Sequence, residues 1–302
     1  MKAGMVGLGK MGGNMAARLI REGHEIAGYA HSGEAVAELE KKGGTGAGSL
    51  EELVSLVGKR PRVVWLMVPS GGPVDDVLES LAPLLEEGDV VVDGGNSWYR
   101  DTIERAGRLK SDGIRLIDVG TSGGVWGLEE GYSMMVGGDE DAVGHIRPLL
   151  ESLAPAPDRG WGRVGPCGAG HFVKMIHNGI EYGMMQAYAE GFAIMNRKDE
   201  FGLDLHAVAE IWRYGSVVRS WLLDLIAASL EKDPSFEGIE AYVADSGEGR
   251  WTAKEAIELG VPAPVISMAL AARFRSQDKD YFGDRLLAAL RNMFGGHETR
   301  KK

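Results

Sequence analysis

The chain has 302 residues, of which 44% are hydrophobic and 25% charged, and its formal net charge is -11. This size and composition predict a globular enzyme of one large or two medium domains. The acidic balance argues against partners such as nucleic acid or an anionic membrane surface. Cys167 is the only cysteine, so no intrachain disulfide can form, which fits a reducing cytoplasm. No apolar run is long enough to span a bilayer, and the glycine motif close to Met1 leaves no room for a signal peptide.

A glycine-rich turn lies between the first predicted strand, Lys2 to Val6, and the first predicted helix, Asn14 to Arg21. Its residues, Gly7-Leu8-Gly9-Lys10-Met11-Gly12, match the pattern G-x-G-x-x-G, and a second strand, Glu25 to Tyr29, follows. Such glycines let the backbone approach a pyrophosphate, to which the helix N-terminus donates amide hydrogen bonds. A tight turn without a ligand is the alternative, but strand, turn, helix and strand within about 30 residues favour a dinucleotide site.

The residues that follow the second strand bear on which dinucleotide is bound. Enzymes that use NAD usually carry an acidic residue there, which holds the ribose hydroxyls. This chain has Ala30-His31-Ser32 at that place. Because no acid is present to repel a 2′-phosphate, and His31 and Ser32 offer contacts to one, the sequence favours NADP over NAD as the cofactor.

Further alternating strands and helices predict an α/β fold, a Rossmann-type doubly wound parallel sheet. The predicted strands are 62–68, 90–93, 115–118 and 132–136, and the predicted helices are 74–85, 99–111 and 140–153. In such sheets ligands bind at the carboxyl ends of the strands, where three loops are expected, at 69–73, 94–97 and 120–124. Asn96 and Ser122 are short hydrogen-bonding residues in these loops, and each either caps a turn or contacts a ligand.

A proline- and glycine-rich stretch, 154–170, is predicted to separate a dinucleotide-binding domain, 1–165, from an all-helical second domain, 166–302. A helix from about Ala169 to Arg197 comes first in this domain. Shorter helices are predicted near 206–212, 220–230, 253–259, 265–275 and 284–294. A helix of about 29 residues spans about 43 Å, and so few short helices can hardly cover it. We therefore expect a partner subunit to cover it, in an obligate homo-oligomer.

One face of the long helix is unusually polar. Its members are Lys174, His177, Asn178, Glu181 and Tyr182, all within about 80° of Lys174 at the helical rotation of about 100° per residue. A polar stripe usually faces solvent. This one becomes apolar from Met185 to Phe192, however, and an apolar continuation predicts that the face is buried. Burying a lysine, a histidine and a carboxylate is costly, which favours a functional site over a solvated surface.

The chain resembles the decarboxylating 6-phosphogluconate dehydrogenases of the β-hydroxyacid dehydrogenase superfamily, in a short form with a reduced helical domain. The resemblance covers nearly the whole chain. It rests on the glycine turn, on Asp93-Gly94-Gly95-Asn96-Ser97, on Ser122-Gly123-Gly124 and on the motif from Gly170 to Tyr182. The last motif ends in His177-Asn178-Gly179-Ile180-Glu181-Tyr182, which wider relatives such as 3-hydroxyisobutyrate dehydrogenase are not expected to carry.

The resemblance implies oxidative decarboxylation of 6-phosphogluconate to ribulose 5-phosphate and CO2, a step of the pentose phosphate pathway and of gluconate utilisation. Lys174 would be the general base at the C3 hydroxyl, and Glu181 the acid that later protonates C1. The sugar acid would be held by Asn96, Ser122, Gly123, Gly124, His177 and Asn178. The 6-phosphate would be held by Tyr182, Arg273 and, from a neighbouring subunit of a homodimer or a dimer of dimers, by Arg291 and His297 in the C-terminal tail. The dinucleotide is assigned to Gly7, Leu8, Gly9, Lys10, Met11, Gly12, Ala30, His31, Ser32, Val68, Pro69 and Asn96.

One loop departs from the family's pattern. Where the family commonly has a lysine and a threonine that meet the phosphate, this chain has Ser246 and Glu248, with Arg250 two residues further on. A carboxylate beside a phosphate is unfavourable unless it faces away. The resemblance therefore does not carry the phosphate contact over to this loop.

The chemistry of the groups agrees with the resemblance and leaves two alternatives. A β-keto acid loses CO2 readily once its developing enolate oxygen receives a proton, so an acid and a base suffice and no metal is expected. One alternative is a non-decarboxylating β-hydroxyacid dehydrogenase, which would not release CO2 in step with cofactor reduction. The other is a dinucleotide-sensing protein without turnover, which would need no pair such as Lys174 and Glu181.

Overall fold

The computed structural model describes residues 1–300, and the chain forms two compact units, Met1–His177 and the residues from Asn178 onward. The first unit is built on an eight-stranded sheet with helices, and the second is helical. The predicted fold class, a Rossmann-type sheet followed by a helical domain, is confirmed. The domain boundary between residues 165 and 166 stays a prediction.

The sheet has the strand order β3-β2-β1-β4-β5-β6-β7-β8. Its strands are β1 Lys2–Val6, β2 Glu25–Tyr29, β3 Thr45–Gly46, β4 Val63–Leu66, β5 Val90–Asp93, β6 Arg115–Ser122, β7 Ser133–Gly137 and β8 Trp161–Gly165. The order reverses at β1, where Val6 pairs with Tyr29 on one side and with Leu66 on the other. Ligands of doubly wound sheets bind beyond the carboxyl ends of the strands at such a reversal.

The far side of the sheet differs from the all-parallel prediction. Strands β1 to β6 run parallel, but β7 pairs with β6 in the antiparallel sense and β8 lies parallel to β7. The residues between β6 and β7 are too few for the crossover that a parallel neighbour needs, so the chain turns back directly. The pairing extends β6 to Ser122, opposite Ser133. Gly120, Thr121 and Ser122 therefore lie in the strand and not in the predicted loop.

Helices cover both faces of the sheet in the first unit. They are α1 Lys10–Arg21, α2 Gly33–Lys41, α3 Leu50–Val57, α4 Gly72–Leu81, α5 Tyr99–Ser111, α6 Gly127–Glu130 and α7 Glu140–Leu153. Alternate residues of the central strands enter different core layers: Trp65 and Val92 pack in one, and Val64 and Val91 in the other. Apolar residues on both sides of a strand are typical of a parallel sheet between two helical layers.

The helices from α8 onward carry the rest of the chain. They are α8 Ala169–Asn196, α9 Leu205–Arg213, α10 Trp221–Lys232, α11 Glu248–Glu258, α12 Pro264–Gln277 and α13 Phe282–Gly295. The helix α9 packs on α10 around Ala209, Leu223, Ala227 and Leu230. The last helix, α13, buries none of its residues, and its Leu287 and Phe294 are 60% and 98% exposed. No helix among residues 1–300 combines the length and the apolar character needed to cross a membrane.

Candidate active site

The glycine turn after β1 is closely packed on one side and open on the other. Gly7 has a φ of +92°, and a Cβ there would lie 2.4 Å from the carbonyl oxygen of Met67. A Cβ on Gly12 would lie 2.0 Å from the carbonyl oxygen of Gly7. Among residues 1–300, no atom lies within 4 Å of the Cβ position of Gly9, and no side chain caps α1, which begins at the next residue. The amides at the start of α1 are thus left available, as a bound pyrophosphate requires.

The residues after β2 have structural roles of their own. The Ser32 hydroxyl caps α2 by accepting a hydrogen bond from the Ala35 amide at 3.4 Å, and the His31 ring contacts the Tyr29 ring edge-on. Between the glycine turn and α2 lies a cleft of about 240 Å³, whose lining includes the cationic residues Lys10 and Lys42 and the acidic Glu38. The assignment of Ala30, His31 and Ser32 to the dinucleotide and the preference for NADP stay predictions.

The loops after β4 and β5 contact each other and the glycine turn. A Cβ on Gly7 would lie 3.1 Å from Cγ1 of Val68, and one on Gly95 would lie 3.0 Å from the Val68 carbonyl oxygen. Val68, which precedes Pro69, therefore lies between the glycine turn and the loop that carries Asn96. The predicted cofactor residues of all three segments are brought together.

Asn96 is exposed, but the residues on both sides of it are fixed. The buried carboxylate of Asp93 accepts a hydrogen bond from the Gly95 amide at 3.1 Å and another from the Ser97 hydroxyl at 2.7 Å. A Cβ on Gly94 would lie 2.1 Å from Nε1 of Trp65, so only glycine fits there. The loop therefore presents the Asn96 side chain at the sheet edge on a backbone with little freedom.

The segment after β6 is supported from below by Tyr132. Gly123 has a φ of +140° and lies against the Tyr132 ring, and a Cβ on Gly127 would lie 2.0 Å from that ring. Tyr132 is fully buried, and burial raises the pKa of its hydroxyl to about 12. Ser122, Gly123 and Gly124, predicted to hold the sugar acid, thus begin a turn whose course is set by a buried aromatic ring.

Arg18 of α1 fixes the same segment from the side. Its guanidinium donates to the carbonyl oxygens of Leu128 and Glu129 at 3.2 Å and 3.0 Å. It also donates to the carbonyl oxygens of Ser152 and Ala154 at the end of α7. The helix that starts at the glycine turn is therefore connected directly to the residues that follow Ser122-Gly123-Gly124.

Lys174 lies against β6. A Cβ on Gly120 would come within 2.3 Å of the Lys174 Cβ, so the absence of a side chain at position 120 lets α8 approach the strand. Lys174 is only 6% exposed, as the sequence predicted. Since Gly120 precedes Ser122 by two residues on the same strand, the buried lysine and the predicted sugar-acid loop belong to one part of the first unit.

Asp118 holds the beginning of α8 in place. Its buried carboxylate accepts hydrogen bonds from the backbone amides of Gly168 and His171, both at 2.7 Å. Burial next to this carboxylate raises the pKa of the Cys167 thiol far above its usual range, which makes Cys167 a packed residue and a poor nucleophile. Neither Asp118 nor the role of its carboxylate was predicted from the sequence, since a single acid within a strand has no local signature.

His171 is a second residue that sequence reasoning missed. It is 1% exposed, and its Nδ1 lies 2.8 Å from the Thr102 hydroxyl of α5. Its Nε2 has no hydrogen-bond partner among the described residues. The pair His171–Thr102 joins α8 to α5, one helical turn before Lys174.

The polar face of α8 is buried or half-buried at each of its five residues. Tyr182 is 6% exposed, like Lys174, and His177, Asn178 and Glu181 are half-buried. Ile180 and Met184, on the other side, are 52% and 40% exposed. The five polar residues are thus not a solvated face, although the apolar continuation that predicted their burial is itself exposed at Met185, by 41%, and at Ala189 in the single chain.

Within the second unit, Tyr182 and Arg273 are brought together as predicted. The guanidinium carbon of Arg273 lies 3.5 Å from the centroid of the Tyr182 ring, and Arg273 also donates to the Ala244 carbonyl oxygen at 2.7 Å. The Tyr182 hydroxyl lies 3.2 Å from the Ser246 hydroxyl. The loop 245–249, which departs from the family's pattern at Ser246 and Glu248, therefore lies next to Tyr182.

The carboxylates of this loop are already paired. Glu248 is 6% exposed and accepts a hydrogen bond from the Ser246 hydroxyl. Arg250 binds the carboxylate of Asp245, and although burial acts in the opposite direction, the hydrogen bonds from Arg250 and the Gly247 amide lower the Asp245 pKa. Arg250 is thus engaged with an acid, while Arg291 of α13 and His297 after it are exposed. Among residues 1–300, no group of three or more potential ligand side chains is arranged to hold a metal ion.

Comparison with known proteins agrees with these motifs. Residues 2–165 match the NAD binding domain of 6-phosphogluconate dehydrogenase, and residues 170–288 match the C-terminal domain of that enzyme. The chain is 44% identical to the Bacillus subtilis protein YqeC over 302 residues, the full length of both. It is 43% identical over 303 residues to the NAD(+)-dependent, decarboxylating 6-phosphogluconate dehydrogenase of Haloferax volcanii, covering 100% of this chain and 99% of that one.

A solved structure extends the likeness to the fold. The structure of Plasmodium falciparum 6-phosphogluconate dehydrogenase, studied with its cofactor NADP+ and its substrate 6-phosphogluconate, superposes with a TM-score of 0.84 at 30% identity. The match covers 100% of this chain and 66% of the Plasmodium chain, so the present protein corresponds to about two thirds of that larger enzyme. The resemblance inferred from the motifs is confirmed, and the chain belongs to the 6-phosphogluconate dehydrogenase family.

Proposed function

We propose that the protein oxidises and decarboxylates 6-phosphogluconate, giving ribulose 5-phosphate and CO2, with hydride transfer to NAD or NADP. The observation that carries this proposal is the position of Lys174. The lysine is buried against Gly120, on the strand that leads into Ser122-Gly123-Gly124, in a chain whose family is established. A buried lysine without a chemical role would be a costly feature of the core.

The proposed reaction divides proton transfer between two residues. Lys174 takes the proton of the C3 hydroxyl, which converts the secondary alcohol into a ketone as the hydride leaves. The chemistry that a bound nicotinamide supplies is acceptance of that hydride. Lys174 then returns its proton to the C3 oxygen while the bond between the carboxylate and C2 breaks, which leaves an enediol. Glu181 then protonates the enediol at carbon while the hydroxyl on the former C3 gives its proton back to Lys174, which completes ribulose 5-phosphate.

The sugar acid is proposed to bind to the fixed loops at the sheet edge. Asn96 stands exposed on a loop anchored by Asp93, and Ser122, Gly123 and Gly124 follow β6 over the ring of Tyr132. Short polar side chains and glycine amides of this kind bind carboxylates and hydroxyls without a large entropic cost, because the backbone is ordered beforehand. His177 and Asn178 of α8 are the further ligands in this proposal.

The 6-phosphate is proposed to bind at Tyr182 and Arg273, with Arg291 and His297 supplied by a neighbouring subunit. The close contact between the Arg273 guanidinium and the Tyr182 ring supports the first pair. The Glu248 carboxylate is buried and bonded to Ser246, which reduces its repulsion of a phosphate. Arg273 rather than the loop 245–249 is then the main cationic contact within one chain.

A second copy of the chain is proposed to cover the helical unit, as a homodimer or a dimer of dimers. Helix α13 buries no residue, and Phe282, Leu290 and Phe294 on it are 68%, 54% and 98% exposed. An apolar cleft of about 560 Å³ lies between α8 and α10, lined by residues such as Met185, Leu225 and Phe236. Exposed apolar surface of this extent is typical of an interface.

A cytoplasmic location is also part of the proposal, supported by the absence of a second cysteine.

A spectrophotometric assay tests the proposed function. The protein is mixed with 6-phosphogluconate, gluconate or 3-hydroxyisobutyrate, each with NAD and with NADP, and both the reduced cofactor and CO2 are measured. We expect turnover of 6-phosphogluconate with one CO2 released for each cofactor reduced, and faster turnover with NADP than with NAD. Reduction without CO2 would favour a non-decarboxylating dehydrogenase, and binding of the cofactor without turnover of any substrate would favour a sensor.

A further inference from the structure

Arg105 of α5 occupies an unusual position behind the cofactor edge of the sheet. It is 1% exposed, so its guanidinium is removed from solvent. Nε and Nη2 donate to the carboxylate of Asp75 in α4 at 2.9 Å and 2.8 Å, in the two-pronged geometry that suits an arginine. Nη2 also donates to the carbonyl oxygen of Gly71 at 3.0 Å. Arg105 thereby fixes the residues that follow Val68 and Pro69.

The same guanidinium faces the neighbouring loop. Its Nη1 lies 3.9 Å from the buried carboxylate of Asp93 and has no hydrogen-bond partner among the described residues. Asp93 is the residue that anchors Gly95 and Ser97 on either side of Asn96. One buried cation is therefore shared by the loop after β4, through Gly71 and Asp75, and by the loop after β5, through Asp93.

We propose that Arg105 is a positioning residue for dinucleotide binding, because it holds these two loops in a fixed relation at the cofactor edge. The claim rests on the proposed function only in that the dinucleotide binds at this edge. Arg105 itself is buried behind the loops and touches neither substrate nor cofactor. Its effect is exerted through the main chain at Val68 and Pro69 and through the loop that presents Asn96.

The planar guanidinium is needed for this role. A lysine at position 105 would keep the charge, but a single ammonium cannot reach Asp75, Gly71 and Asp93 together. An apolar residue would leave the buried Asp93 carboxylate without its cation, which is costly in a low-dielectric site. The loops would then be free to separate, and small displacements of binding groups lower affinity steeply.

The chain offers a closely matched control at the opposite edge of the sheet. Arg62 precedes β4, and its guanidinium lies 3.3 Å from Asp89, a fully buried acid that precedes β5. Arg62 also donates to a carbonyl oxygen, that of Leu84, and one of its guanidinium nitrogens has no hydrogen-bond partner in the part of the chain that the structure describes. Both arginines are buried and join the same two strands, but Arg62 does so at their amino ends, away from the cofactor edge.

The test compares the affinities of the variants Arg105→Met and Arg62→Met for NADH and NADPH. Binding is measured directly by fluorescence, at a temperature at which both variants are fully folded. We expect Arg105→Met to weaken binding of the preferred dinucleotide about tenfold or more, and Arg62→Met to change it less than about twofold. Arg105→Lys should bind as weakly as Arg105→Met while recovering part of the lost stability. The measurement needs no sugar substrate, so it is independent of whether 6-phosphogluconate is turned over.

Other results would overturn the proposal. Equal losses of affinity in Arg105→Met and Arg62→Met would show a general effect of a destabilised sheet, and wild-type affinity in Arg105→Met or in Arg105→Lys would remove the need for the guanidinium. If Arg105→Met does not fold, Asp75→Asn takes its place, because it releases the guanidinium on one side without emptying its position. Asp75→Asn is expected to weaken dinucleotide binding severalfold, and unchanged binding would contradict the role of Arg105.

Discussion

At the scale of single residues, the candidate site depends on side chains that are missing as much as on those that are present. Gly120 has no side chain, and Lys174 of α8 occupies the space beside it. Gly12 and Gly7 allow the turn before α1 to close on itself. At each of these positions a methyl group would collide with backbone or with a Cβ, which cannot move aside as the end of a flexible side chain can.

The variant Gly120→Ala tests the contact between β6 and α8. The new Cβ would lie 2.3 Å from the Lys174 Cβ, so the helix must shift. We expect a loss of about 1–3 kcal/mol in the free energy of unfolding, as for other overpacked cores, together with a lower kcat. Gly162→Ala on β8 is the control, since its Cβ would meet nothing within 4 Å. Denaturant unfolding and steady-state kinetics of the two variants decide, and equal behaviour would refute the contact.

Sequence motifs reveal only some of the residues that form the candidate site. Lys174, Asn96 and the glycine turn were found from sequence because they lie in contiguous patterns. Arg105, Asp118 and His171 were not, because each acts through partners that are far away in the chain, at Asp75, Gly168 and Thr102. A charged or polar residue on a helix or at a strand end is usually exposed, and only tertiary contacts identify these three as buried.

At the scale of secondary-structure elements, the beginning of α8 is held by a residue from another element. The carboxylate of Asp118 in β6 accepts hydrogen bonds from the backbone amides of Gly168 and His171. These bonds cap the helix in the way that a side chain from its own N-terminus usually does. A carboxylate at this end is also favoured by the helix dipole. The strand that leads to Ser122 thereby fixes the helix that carries Lys174.

The variant Asp118→Asn is expected to lose both the charge and one of the two amide acceptors. The free energy of unfolding should fall by about 1–2 kcal/mol, the usual magnitude for a helix cap, and kcat should fall because the position of Lys174 depends on α8. Asp139→Asn provides the control, because Asp139 precedes α7 without making a side-chain cap bond. Urea unfolding and turnover of both variants are compared, and an Asp118→Asn protein that behaves like Asp139→Asn would exclude the capping role.

The ion pair between Asp75 of α4 and Arg105 of α5 predicts how the free energy of unfolding changes at acid pH. The hydrogen bond from Arg105, helped by Arg108, lowers the Asp75 pKa from 3.8 to about 2. Because the pKa is lower in the folded state, the ionised carboxylate stabilises the fold above about pH 4, and this stabilisation disappears as the pH falls towards 2. The difference in unfolding free energy between wild type and Asp75→Asn should therefore be constant at neutral pH and shrink between pH 4 and pH 2. A difference that does not change over this range would contradict the ion pair.

Element prediction succeeded where the local pattern and the fold agree. The bounds of β1, β2, β5, α5 and α7 were predicted to the residue. Helices α2 and α3 were missed, although Ser49 caps α3 and Glu52 stands three residues later, a sequence signature that was available. Strand β8 carries two glycines and no apolar alternation, so nothing local indicates it. Strand β7 runs antiparallel to β6 because the connection between them is short, and the length of this connection could have been read from the sequence.

At the scale of the whole molecule, the two units are unequal in the way they bury apolar residues. The first unit encloses two core layers around its sheet, whereas the helical unit leaves much of α13 exposed. A helix that buries nothing in its own chain gains stability only by packing elsewhere. Its apolar face is the reason for proposing that the protein works as an oligomer.

The variant Leu290→Glu tests that proposal. Leu290 is 54% exposed in the single chain, and a carboxylate at an apolar interface would be desolvated without a partner, so we expect dissociation into smaller species. Val164→Glu on β8 is the control, since Val164 is an exposed apolar residue of the other unit, at 45%. Light scattering coupled to size-exclusion chromatography measures the mass. A wild-type protein that is already monomeric would contradict the expectation directly.

The variant Lys174→Met tests whether this buried lysine is the base of an oxidative decarboxylation. Methionine fills a similar volume without an ionisable group, so the packing against Gly120 is kept while proton transfer is lost. Formation of NADPH or NADH and of CO2 from 6-phosphogluconate is measured together with the affinity for the dinucleotide. We predict loss of turnover by several orders of magnitude, with dinucleotide affinity within about twofold of wild type. Retained turnover in Lys174→Met would contradict the role of Lys174 as the base.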